Sequence, residues 1–576
     1  MVGMGRESPE AGRGGGAWLV LLVASALAMA VVANQTAFIE YATSSDQLTL
    51  PSIAWDLFEN RLANVAGWQF SRAPYFFPDL AWYSLLQAVL GDYRWSIFAA
   101  CLSQVAVLAM VMGVLVRRVT GAPAVLAANT FLAIVVGETL IAIGADAVMP
   151  PYRAFYRVPL YSYQALLHYS SFLMAMAGLL VVIAFCRRQR PWHLPVLAVL
   201  TLLAMLSDFI FLAYFLAPMA AVLVWCRLSR RVAPRVAGGL LAAMAGGAMA
   251  ALGLLQFVTR QPTPTYKIQP GNASNGLALI YNHVSIDQPV FVLIVWIPLA
   301  IALAFCVRVL VGWAFCRRDG GGWRRLWGFV WRGGPDEWSD GPGLMRIVLV
   351  YLLLATAANV LFGAVYISRD DDTLLRYFAV TTVFPQFCLT CLVAPRLARA
   401  GRRALLAGVV ALPAAVLAVE SVQAGSAVPL FLRWQSDLAA QLKACVPVYG
   451  LRAGLANYWL SRHVMMATDW TIQLAQLRTD EPRIYYWGNN LLWFTQDFSG
   501  SGQPPVYNFI ILNRTEPNRT GPFRFELVGL YDDGDVTRHF GTPDRLVDCG
   551  PLRLGLYDDT ALLGRNVLKS VAYGTR

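Results

Sequence analysis

Long apolar runs, separated by short arginine-rich stretches, fill the chain up to about position 420. A helix needs about 20 apolar residues to cross the hydrocarbon of a bilayer. Runs near that length lie at 17–34, 95–116, 122–145, 170–186, 194–207, 209–226, 236–258, 289–309, 345–366, 376–395 and 404–420. The pattern therefore predicts eleven spans. The fifth and sixth form one stretch, "HLPVLAVLTLLAMLSDFIFLAYFLAPMAAVLVWC", which is long for one crossing and short for two. Flanking charge decides between them. "RRQR" (187–190) precedes it and "RLSRR" (227–231) follows it. Both belong on the cytoplasmic side, so the chain crosses twice and turns at Ser207 and Asp208 near the outer face.

With that parity, every basic cluster falls on one side: Arg117 and Arg118, "RRQR", "RLSRR", the 308–344 loop and "RLARAGRR" (396–403). The positive-inside rule then places the N-terminus inside and the C-terminus outside. The opening segment reads as an uncleaved anchor behind a cytoplasmic tail, 1–16, and residues 17–420 form the membrane domain. Trp313, Trp323, Trp327, Trp331 and Trp338 in the 308–344 loop read as interfacial anchors. Outer segments lie at 35–94, 146–169 and 259–288. In the first, an apolar stretch from Ile53 to Val65 and another, "LAWYSLLQAVLG", have the spacing of helices lying flat on the membrane, with Asp79 as N-cap of the second. Residues 421–576 change character. "RIYYW", "VYNFIIL" and "FRFELVGLY" are strand-like and broken by Gly, Pro, Asn and Asp, which predicts an extracytoplasmic α/β or β-rich domain. The fold class is mainly α, a polytopic helical bundle with outer juxtamembrane helices and that domain at its end.

Composition agrees. The 576 residues are 57% hydrophobic and 14% charged, with a mean hydropathy of +0.52. The net charge of +12 sits in the loops between spans, which marks topology and excludes nucleic acid as a partner. Seven of nine cysteines lie in spans or inner loops, and only Cys445 and Cys549 fall in the outer tail. A pair in an oxidising compartment predicts a disulfide. The preference for Arg over Lys and the richness in Ala fit a GC-rich bacterial genome, and hence a bacterial inner membrane.

Carboxylates gather at the outer rim. In "SSDQLTLPSIAWDLFEN" (44–60), Asp56 and Glu59 have helical spacing and fit a solvated face, whereas Asp46 has no clear capping role. Asp208, at its hairpin turn, is either solvated or a substrate contact. Two further stretches are "LYSYQALLHYSSFL" (160–173), with His168 and Tyr169, and "ISRDDDTLLRYFAVTTVFP" (367–385), with Arg376 and Tyr377. A large outer loop after span one with an early acid, flat helices, an "RY" pair before a late span and a C-terminal outer domain resemble the GT-C superfamily of integral membrane glycosyltransferases. That superfamily includes the protein O-mannosyltransferases and the lipid A aminoarabinose transferases. The resemblance covers spans one to ten and is architectural, since its motifs are short. The second outer loop departs from some relatives, because Asp146 is its one acid and no acidic pair is present. No cofactor follows, and a requirement for a divalent metal is left open.

The resemblance implies a donor sugar on a polyprenyl phosphate and a lipid, polysaccharide or protein acceptor, with membrane lipids around both. The leaving phosphate is a stable anion and needs no proton, so a single carboxylate suffices as base. Asp46 is the expected base and Arg376 the expected phosphate clamp, with its planar fork matching two phosphate oxygens. Tyr377, His168, Asp208, Asp146 and Lys267 are expected substrate contacts, and Asp46, Arg376 and His168 are expected to open onto one outer cavity. A transporter or flippase would instead carry acids buried within the spans, and the spans here are almost free of Asp and Glu. A non-catalytic scaffold displaying residues 421–576 is the other alternative.

Overall fold

Nine helices among the described residues are long and apolar enough to cross a membrane. They are Gly16–Ala33, Tyr93–Thr120, Ala124–Ala145, Tyr169–Arg188, Pro234–Phe257, Val292–Leu310, Pro342–Val365, Ala379–Ala398 and Arg403–Ala424. Two shorter apolar helices, His193–Ser207 and Leu212–Leu228, complete the series. The structure is a computed structural model. It describes residues 14–59, 67–70, 73–148, 163, 168–258, 273–283, 292–315, 335–339, 341–366, 377–400, 402–478, 482–485, 488–498, 502–512, 531 and 533–574. The chain divides into two compact units. The first holds Met1–Val32, Cys101–Leu252 and Tyr266–Ala427; the second holds Ala33–Ala100, Gly253–Thr265 and Val428–Arg576.

In the first unit, small residues let helices approach. A side chain at Gly113 would collide with the backbone of Ala124 and with Ala128, and one at Gly247 would collide with the Ala198 carbonyl. His193–Ser207 has 15 residues and therefore reaches roughly 22 Å, less than the ~30 Å of a hydrocarbon core. It ends at Asp208, whose backbone turns extended (φ −159°, ψ 118°), and the chain reverses into Leu212–Leu228.

The two ends of this unit are chemically distinct. At one end Gly341 N donates to Arg118 O at 2.8 Å, and Arg231 Nε donates to Glu337 Oε2 at 2.8 Å. Arg346 lies 3.9 Å from the same carboxylate, and Arg231 stacks over Trp225. Trp338, expected as an interface anchor, is instead buried at this end beside Glu337. Leu212–Leu228 and Pro342–Tyr366 run from here to the other end, where His168, Asp208 and Tyr377 meet.

The second unit contains an α/β sheet. Its strands are β1 (Trp68–Gln69), β2 (Ala453–Asn457), β3 (Gln473–Leu477), β4 (Asn489–Asn490), β5 (Tyr507–Leu512), β6 (Arg545–Cys549) and β7 (Leu552–Leu556). Five pair in the order β3-β2-β5-β7-β6. β3, β2 and β5 are parallel, and β7 and β6 continue antiparallel. The parallel strands are buried almost throughout, including Asn457 of β2 and Gln473 and Gln476 of β3. Leu455, Ile510 and Leu512 pack with Val536, Phe540, Leu563 and Val567 of the covering helices. β1 pairs antiparallel with β4, so the segment after the first apolar helix and the tail belong to one structure. Of the strand-like stretches, "VYNFIIL" forms β5, Ile484 of "RIYYW" bridges Leu477, and most of "FRFELVGLY" lies outside the described residues.

The helix Thr49–Phe58 departs from expectation. Leu50, Ile53, Ala54 and Asp56 are buried within the second unit, so it does not lie flat with its length exposed. Ala81–Leu90 keeps an outward apolar stripe of Trp82, Leu85 and Val89. Asp79 does not cap it. The backbone already turns from Tyr75, whose carbonyl accepts from Leu80 N at 2.9 Å, and the Asp79 side chain is buried.

Candidate functional site

In open α/β sheets, ligands bind beyond the carboxyl ends of the strands, where the strand order reverses. The chain leaves β2 for β3 on one side and later adds β5 on the other, so the carboxyl end of β2 is that point. Asn457 closes β2 and caps the helix Tyr458–Ala467 by accepting from Leu460 N at 2.9 Å. The next side chains of this helix grip the segment 45–49. Tyr458 donates its hydroxyl hydrogen to Asp46 Oδ1, and Ser45 Oγ donates to the Tyr458 carbonyl. One turn on, Arg462 Nη1 donates to Ser45 O at 2.8 Å and to Thr49 Oγ1 at 2.7 Å. His463 meets Ser436 Oγ at 2.8 Å through Nε2.

Asp46, Tyr458 and Arg462 are all buried. Burial pushes the Tyr458 phenol well above its ordinary range, and the Asp46 charge adds to the effect. Burial also weakens the hold of Arg462 on its proton, opposed by Tyr458 and Asp46. A carboxylate whose oxygen is fixed by a phenol is held in one orientation, which a base aimed at an acceptor hydroxyl requires.

Asp56 does not sit on a solvated face. It is 1% exposed and accepts from Asn490 Nδ2 at 2.8 Å and from Trp493 Nε1 at 3.0 Å. These partners fasten the loop to the tail. Glu59, three residues on, is exposed. Cys445 and Cys549 are joined as a disulfide.

The first unit brings three expected contacts together. His168 Nδ1 lies 2.7 Å from Asp208 Oδ2, and Ser171 Oγ donates to the same oxygen at 2.9 Å. Ile210 N donates to Asp208 Oδ1 at 3.1 Å. The His168 ring lies 4.4 Å from that of Tyr377, centroid to centroid. The Tyr377 carbonyl is held by Tyr214 Oη and Asn359 Nδ2, each at 2.7 Å. Asp208 is therefore buried at 2% exposure rather than a solvated turn residue. A carboxylate on Nδ1 fixes the ring orientation. His168 itself sits at φ 50°, in the left-handed region that a non-glycine residue seldom adopts.

Arg376 and Lys267 lie outside the described residues, and of Asp146 only the helical backbone is described. Asp46 belongs to the second unit, and His168, Asp208 and Tyr377 to the first. Tyr458 and Arg462 were missed from the sequence. Their signal was an aromatic and a cation one helical turn apart behind an Asn cap, in "NYWLSRH". Among the described residues no group of three or more His, Cys, Asp or Glu side chains is placed to hold a metal ion. Comparison with family models, curated proteins and solved structures gives no match to this chain.

Proposed function

We propose that this chain is a GT-C-type glycosyltransferase of a bacterial inner membrane. It moves a sugar from a polyprenyl-phosphate donor to an acceptor hydroxyl at the outer face. One observation carries it: Asp46 is buried at the carboxyl end of β2, with one oxygen held by Tyr458. In this reaction the acceptor O–H proton passes to Asp46. The acceptor oxygen bonds to the anomeric carbon as the bond from that carbon to the phosphate oxygen breaks. The phosphate leaves as an anion, and the configuration inverts. The chain crosses the membrane eleven times with its C-terminus outside, the two short helices supplying the fifth and sixth crossings. The gathering of Arg118, Arg231 and Arg346 at the end of the first unit away from His168 and Asp208 supports this sidedness.

The test supplies labelled lipid-linked sugar to membranes holding wild type or Asp46→Asn at matched expression. Transfer is expected to fall at least about a hundredfold. Transfer at the wild-type rate removes Asp46 as the base.

A second reading, a lipid or sugar transporter, is favoured by one contact. Gln386 Nε2 donates to Glu138 Oε2 at 2.6 Å within the apolar spans. Ionisable groups at that depth mark transport paths. Loss of substrate movement in Glu138→Gln, with Asp46→Asn unaffected, selects this reading.

A further inference from the structure

We infer that Arg462 receives a phosphate oxyanion side-on, through Nε and Nη2. The guanidinium is fully buried; Nη1 donates to Ser45 O and Thr49 Oγ1, and the Tyr458 phenol interacts with the cation. Nε and Nη2 meet no hydrogen-bond partner among the described residues. Those two atoms form one edge of the planar fork, the edge that matches two oxygens of a phosphate or carboxylate. The anchored Nη1 fixes the plane, so the unused edge points in a defined direction. A chain rarely buries such a donor pair without an acceptor, because the lost hydration goes unreplaced. Among the described residues a glycine borders this edge. Gly488 lies beside it at φ +58°, and a carbon added there would stand 3.5 Å from Nη2. The Tyr458 ring flanks the guanidinium at 5.6 Å from its centroid. Arg462 lies one turn along the helix that starts at the carboxyl end of β2, where such sheets take ligands.

The ligand class follows from the proposed function, on which this inference rests: the donor carries a phosphate, and Arg462 would hold it. Binding is measured without any transfer, so failure here leaves the Asp46 test standing, and the reverse also holds.

The full-length chain in nanodiscs is titrated with farnesyl phosphate, with farnesol and inorganic phosphate as controls, and followed by thermal unfolding and calorimetry. Farnesyl phosphate is expected to bind and raise Tm, and farnesol is not. Arg462→Lys keeps the charge but loses the fork, and should weaken binding roughly tenfold or more. Arg462→Met should abolish binding and also lower Tm, since it strands Ser45 O and leaves the buried Asp46 without its neighbouring cation. Displacement by inorganic phosphate shows that the headgroup alone is read; binding of farnesyl phosphate without such displacement shows a lipid-borne phosphate. Both support the inference. Unchanged affinity in Arg462→Lys, or equal binding of farnesol, overturns it. A lower Tm in Arg462→Met with no phosphate binding to wild type assigns the residue to structure and also overturns it. Should neither variant fold, wild type decides: no stabilisation by farnesyl phosphate ends the proposal.

Discussion

Tyr458 donates its phenolic hydrogen to Asp46 across 412 positions of sequence, and the bond ties the segment after the first apolar helix to the helix that follows β2. Both partners are buried, so the phenol is held in its protonated form. Below about pH 10 folded and unfolded chains both keep this proton. Above that, the unfolded chain loses it while the folded chain retains it, so stability falls with rising pH by about 1.4 kcal/mol per unit. Tyr458→Phe removes this contribution. Thermal unfolding between pH 8 and 11 should therefore show a shallower alkaline decline in the variant; parallel curves would refute the buried phenol's role.

Asp56 accepts from an indole and an amide with almost no exposure. Asp56→Leu leaves both donors stranded and should cost about 3–5 kcal/mol. Asp56→Asn keeps acceptor capacity and should cost less. Thermal unfolding followed by circular dichroism reads the difference as a shift in Tm. A Leu variant as stable as wild type would show that the contact is dispensable.

His168 and Asp208 come from different helices and share one short hydrogen bond. Their effects should not add. A double-mutant cycle of His168→Gln and Asp208→Asn is expected to give a coupling of about 1–3 kcal/mol in stability or in ΔΔG‡ of transfer. Additive losses would mean that the two act independently.

The disulfide between Cys445 and Cys549 closes a loop of 104 residues. Loop-closure entropy for that length amounts to about 4–5 kcal/mol. Reduction, or Cys445→Ala with Cys549→Ala, should lower the unfolding temperature of the tail and speed its proteolysis. Nonreducing electrophoresis with thiol labelling checks the bond itself, and two freely labelled thiols in untreated protein would contradict it.

The membrane helices were legible because span length and apolar runs are set locally by bilayer thickness, and short arginine clusters punctuate them. His168, Asp208 and Tyr377 could be singled out, since polar groups beside apolar runs stand out. Their meeting could not, because it depends on how a shortened helix, His193–Ser207, places its turn. Asp56 misled for a related reason. Its helical spacing with Glu59 suggested a wet face, but Trp493, its partner, lies 437 positions away. Arg462 stayed hidden because nothing local marks a cation that will be buried. Its place after β2 is local, but its burial depends on Ser45 and Thr49, which lie 417 and 413 positions away.

The second unit is assembled from residues 33–100, the short segment 253–265 and Val428 onward, with more than 300 residues of mostly membrane helix synthesised between its two large parts. At translation rates of about 5–20 residues per second, the early segment waits tens of seconds for β2 and its helix to emerge. Throughout that interval Asp46 and Asp56 have no Tyr458 or Trp493 to bond. A ribosome stalled within the late spans would therefore leave an unfinished half-site exposed to quality-control proteases, and chains truncated before residue 457 should be cleared quickly even though most of their spans have been made.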